Sequence, residues 1–163
     1  MEKNFFDAIN KNDLGKGELM LKDGVDMNME SSRGFSALTE AVMGNKFRMA
    51  ALLIKHGFDI NKQDQYGRTA LMICAMAGNL AATKFLIEKG ADLECRDIEG
   101  STALMLSSFN GNYEVVKLLL MSGANIEVSD NNGEDAVEVA LANLHFAVAG
   151  LLTEWRFSVT ESL

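Results

Sequence analysis

Gly34, Gly67, Gly100 and Gly133 stand 33 residues apart, and a second series, Gly24, Gly57, Gly90 and Gly123, keeps the same period. Two glycine series in fixed phase make the chain quasi-one-dimensional. Each unit is one supersecondary element that cannot bury its apolar face alone and must stack on its neighbours. With 163 residues, 48% of them hydrophobic, the chain has enough apolar material for one continuous stack.

Alignment on the first series superposes GFSALTEAV (34–42), GRTALMICA (67–75), GSTALMLSS (100–108) and GEDAVEVAL (133–141). The glycine marks a tight turn, where a residue without Cβ accepts positive φ at no steric cost. Three of the four follow an aspartate by three residues (Asp64, Asp97, Asp130), and Ser31 holds that place in the first. A short polar side chain there can take backbone amides and pin the turn. Two residues beyond each glycine comes Ser36, Thr69, Thr102 or Asp135, all good helix N-caps, and Glu138 completes a capping-box spacing with Asp135. Apolar residues at helical spacing follow, broken at Gly78-Asn79 and Gly111-Asn112, which reads as a turn between antiparallel helices. The second helix is more apolar, and Gly90 and Gly123 fall where a left-handed residue closes it.

Turn glycine, TALM, Gly-Asn, VVKLLL and GAN at a period of 33 resemble the ankyrin repeat over residues 31–129. The resemblance implies an all-α solenoid of helix-turn-helix units with β-turn tips. We expect one domain of five units, two of them degenerate caps: an N-terminal cap (1–30), full repeats (31–63, 64–96, 97–129), a C-terminal cap (130–157) and a tail (158–163). The family's usual proline is replaced by Ala37, Ala70, Ala103 and Ala136, which suits a helix start. Its usual histidine is replaced by Thr39, Met72, Met105 and Glu138, removing a side chain that links neighbouring turns. Proline-free units are similar to those of many bacterial ankyrin proteins.

Little in the chain converges as an active site does. His56 and His145 are the only histidines; His56 reads as a helix C-terminal residue and His145 as packing or solvated. Gly15-Lys16-Gly17 resembles a phosphate loop in composition only, and an EF-hand register on Asp130, Asn132 and Gly133 would put Val128 and Val139 at ligand positions. Cys74 and Cys95 form no CxxC pair and read as reduced structural thiols. No catalytic, metal or cofactor residue is therefore expected, and the chain is read as a non-enzyme.

Net charge is −8, with nine Lys/Arg and nine Asp/Glu in residues 1–63 against six and fourteen in residues 64–163. Such a surface repels phosphate, which argues against nucleic acid and anionic membrane. No segment approaches the roughly 20 apolar residues of a membrane span, and the N-terminus lacks a signal-peptide pattern. The expected place is the cytoplasm, or the periplasm if a leader has been removed.

The resemblance implies partner binding through turn tips and first helices. By position, the candidate residues are Arg33, Phe35 and Met43, then Tyr66, Arg68 and Met76, then Ile98, Glu99, Phe109 and Asn110, then Asn132 and Glu134. Aromatic, methionine and arginine side chains are the composition of interface hot spots. The acidic C-terminal half calls for a partner with a basic region facing units four and five. The expected module is monomeric and non-catalytic. An inhibitor covering a partner enzyme's active site is one alternative; self-assembly through Trp155 and Phe157 is the other.

Overall fold

The computed structural model describes residues 2–160, and among them ten helices form five antiparallel pairs. These are α1 (Glu2–Lys11) with α2 (Leu14–Lys22), α3 (Ala37–Met43) with α4 (Phe47–Lys55), and α5 (Ala70–Met76) with α6 (Leu80–Glu88). The last two pairs are α7 (Ala103–Phe109) with α8 (Tyr113–Met121), and α9 (Ala136–Ala142) with α10 (Phe146–Thr160). The last helix runs past residue 157; residues 161–163 of the expected tail lie outside the described residues.

First helices stack on first helices and second on second, so the periodic apolar positions become columns. Leu38, Leu71 and Leu104 form one column of the first layer, and Leu53, Leu86, Leu119 and Leu152 one of the second; all are essentially inaccessible. Burying each such leucine contributes roughly 1.5–3 kcal/mol, which is why a unit needs neighbours.

The starts of the first helices follow the sequence pattern. Ser36, Thr69 and Thr102 each take the amide three residues on, at 3.2, 3.3 and 3.4 Å. Asp135 and Glu138 make the reciprocal capping box, with Asp135 Oδ1 accepting the Glu138 amide at 3.0 Å and Glu138 Oε2 the Asp135 amide at 2.9 Å. His56 is the C-terminal cap residue of α4.

The turn between paired helices has a left-handed residue in every unit: Asn12, Asn45, Gly78, Gly111 and Leu144. The next unit approaches closely here. A Cβ on Gly111 would sit 2.5 Å from His145 Nδ1, and one on Gly78 would sit 2.8 Å from Asn112 Oδ1.

These contacts sharpen one expectation. The His145 ring, half-buried, also ties its unit to the preceding one: Nε2 lies 3.0 Å from the Phe109 carbonyl, which can only accept, so that nitrogen donates. Asn112 does the same work one unit earlier, its amide donating to the carbonyls of Ala75 and Met76 at 2.9 Å each. Both side chains satisfy orphan carbonyls at the end of the preceding first helix. This column links neighbouring units at the opposite end of the first helix from Thr39, Met72, Met105 and Glu138.

Candidate functional site

A groove of about 600 Å³ lies across the third, fourth and fifth units. Its apolar lining includes Met76, from the end of α5, with Leu106 and Phe109 from α7 and Val139 from α9. The rim is the turn tips, which bring Asp97, Glu99, Asp130 and Glu134. Among the described residues four carboxylates and no lysine or arginine line it. Phe109 is 52% exposed, so a large ring faces water at the edge of the last turn of α7.

The rim is built rigidly because each tip is tied twice, once to itself and once to its neighbour. Asp64, Asp97 and Asp130 each present Oδ1 to two backbone amides of their own tip, two and four residues on, at 2.8–3.0 Å. Between tips, the Ile98 amide donates to the Tyr66 carbonyl at 3.0 Å and the Asn131 amide to the Glu99 carbonyl at 2.9 Å. Gln63, the last residue of the second unit, donates through Nε2 to the Gly67 and Arg96 carbonyls of the third at 2.7 and 2.8 Å. Arg96 reaches on, through Nε to the Gly100 carbonyl at 2.8 Å and through Nη2 to the Ser129 carbonyl. Gly67 and Gly100 are needed at these crossings, since a Cβ on them would meet backbone at 3.0 and 2.9 Å.

Six of the expected contact residues come together here: Met76, Glu99, Phe109, Asn110, Asn132 and Glu134. The other six do not line the groove. Tyr66 and Ile98 stand exposed on the tips, 48% and 61% accessible. Met43 is half-buried against the core, its Sδ 3.7 Å from Cys74 Sγ, and Phe35 is half-buried beneath the Arg33 guanidinium, 5.5 Å from the ring centroid.

Both arginines expected on the face are engaged within the chain. Arg33 pairs with the buried carboxylate of Glu40 through both Nε and Nη2. Arg68 puts Nε and Nη2 on Asp64 Oδ2, at 3.0 and 2.8 Å, and lies 4.7 Å from the Tyr66 ring centroid. Burial pushes the Asp64 carboxyl up, but the Arg68 guanidinium with the Arg68 and Tyr66 amides outweighs it, and the group titrates below its ordinary value.

Sequence reasoning missed Asp97 and Asp130 as groove residues, since each had been assigned wholly to its turn. Only Oδ1 does that work. The signal lay in the column four residues on, which holds Arg68 in the third unit but Ser101 and Glu134 in the next two. Leu106 and Val139 were missed as well, because helical spacing marks them as core.

Among the described residues no group of three His, Cys, Asp or Glu side chains could hold a metal ion, and no helix is long and apolar enough to cross a membrane. Burial alone raises the Cys74 thiol to about 12, which keeps it protonated and unreactive.

Stacked helix pairs with tips tied into a ribbon define a helical repeat protein. A family model described as ankyrin repeats (3 copies) matches residues 5–97 and 91–161, and the chain belongs to the ankyrin-repeat family. No curated protein matches it. Ankyrin repeats are generally protein–protein interaction modules and typically non-catalytic.

Proposed function

We propose that this protein is a non-catalytic binding module that holds a folded partner against its turn tips and first helices, centred on the groove of units three to five. The observation that carries the reading is the groove itself: an apolar floor opening to solvent beside Phe109, inside a polar rim whose charged groups are acidic. Exposed apolar surface of this kind marks an interaction site when polar groups rim it. The matching partner surface is basic with an apolar projection, and its charge would chiefly speed and orient association. The module acts as a monomer. Of the two aromatics expected to mediate self-assembly through the C-terminal cap, Trp155 packs against the core while Phe157 is 64% exposed, and the net charge of −8 opposes self-association.

Affinity capture from native extract with Phe109→Ala/Met76→Ala beside wild type tests the site. The expected result is a partner retained by wild type and lost, by tenfold or more in affinity, by the double variant. Equal retention by both would move the interface elsewhere. If the captured partner is an enzyme, an activity assay separates an inhibitor, which abolishes turnover, from an adaptor, which leaves it unchanged.

A further inference from the structure

Within the proposed protein-binding role, the chain itself carries a template of what the groove lacks. In the third unit, Asp64 gives Oδ1 to the tip amides and Oδ2 to the Arg68 guanidinium, which lies over the Tyr66 ring. In the fourth and fifth units the same aspartate makes the same two amide bonds, Asp97 to Glu99 and Ser101 and Asp130 to Asn132 and Glu134. At the arginine's position stand Ser101 and Glu134. A serine cannot supply the cation, Glu134 adds a second negative charge, and Asp130 Oδ2 meets a neutral amide, Asn132 Nδ2 at 3.5 Å, in place of a guanidinium. Both aspartates line the groove, and the exposed Phe109 ring lines it with them.

We infer that the groove is built to take an arginine side chain from a basic partner segment, its guanidinium on the Asp97 and Asp130 carboxylates and an adjacent apolar side chain against Phe109, Leu106 and Val139. Arginine fits better than lysine because a planar, weakly hydrated fork both pairs with carboxylates and stacks on a ring, as Arg68 does. A second copy of this chain is a poor occupant, since its net charge is −8 and neither residues 1–63 nor residues 64–163 carry a basic excess. Nucleic acid is excluded on the same ground. Recognition is confined to units four and five because Arg68 already satisfies the third.

Random dodecapeptides displayed on phage and panned against the full chain test this, with winners resynthesised and measured by fluorescence anisotropy. Selected peptides should carry arginine next to a large apolar residue. Replacing that arginine by citrulline should weaken binding at least tenfold, and by lysine measurably. Ser101→Arg, which supplies the guanidinium from within, should weaken binding at least tenfold while keeping or raising the melting temperature. Asp97→Asn/Asp130→Asn should weaken it as much, and serves as the check should Ser101→Arg fold poorly. No binders, binders without arginine, or binders indifferent to the double asparagine variant would overturn the inference. If such arginine-free peptides are still lost on Phe109→Ala, the groove remains a protein-binding site and only its arginine preference fails. Indifference to Phe109→Ala as well would remove both.

Discussion

Leu144 shows how a single residue can run against its column. It occupies the left-handed turn position held by glycine in the third and fourth units, at φ 62°, and is 71% exposed, so packing does little to offset the strain. A left-handed residue with a Cβ costs about 1–2 kcal/mol, and glycine's extra freedom in the unfolded chain gives back about 0.5–1. Leu144→Gly should therefore stabilise the protein by about 0.5–1 kcal/mol, read as a higher urea midpoint. Gly111→Ala in the same column should do the reverse, by about 1–3 kcal/mol, since the new Cβ meets the His145 ring as well as the wrong φ. Equal effects of one sign at both positions would show that the turn geometry is not what matters there.

At the scale of the element, α10 belongs, like α9, to the last unit among the described residues, and Arg156 ties it down. Its Nη2 lies 2.7 Å from Asp135 Oδ2, and its Nε is at ion-pair distance, 3.0 Å, from Glu127 Oε1. Burial pushes Asp135 up, but the Glu138 amide, the Arg156 guanidinium and the Val137 amide together hold it below its ordinary value. A depressed folded-state pKa gives stability that is complete above the unfolded value, 3.8, and is lost as pH falls through the lower folded value. Asp64 adds in the same direction. Urea unfolding followed from pH 7 to pH 2 should show stability falling below about pH 4. Asp135→Asn keeps a capping oxygen but loses the charge, so it should flatten that fall while lowering stability at pH 7. Retention of the full acid dependence in the variant would detach it from this contact.

Over the whole molecule, stacking is uneven. The ribbon of tip hydrogen bonds joins units three, four and five, and Gly34, unlike Gly67 and Gly100, has no neighbour within 4 Å of a built Cβ. Helices α3 and α5 pack less closely than α5 and α7, and α4 and α6 less closely than α6 and α8. The second and third units are joined by α3 packing on α5, the Phe47–Phe85 stack at 5.0 Å, the Met43–Cys74 contact, Asn45 and Asn61 accepting from Asn79 and Asp92, and Gln63 donating to the Gly67 and Arg96 carbonyls. In a solenoid, stability is a sum over such interfaces. Native-state hydrogen exchange should therefore show amides of α1–α4 opening at lower free energy than those of α5–α8. Uniform protection across residues 2–121 would contradict the division. The candidate groove lies wholly on the better-tied side, where a preorganised rim loses least on binding.

The period, the helix pairs, their caps and the turn aspartates were legible in the residues because each depends on neighbours within about five positions along the chain, where glycine conformation and short polar side chains decide. Half of the contact positions proposed from the same period line the groove. What tertiary structure alone decided is how side chains are spent between units and across each tip. Arg33 went to Glu40, Arg68 to Asp64, and His145 to a carbonyl one unit back, while Asp97 and Asp130 line the groove with no arginine paired to them among the described residues. A repeating sequence shows which columns exist, but which member of a column is neutralised, covered or left open depends on distances across the stack, and those exist only once the units have docked.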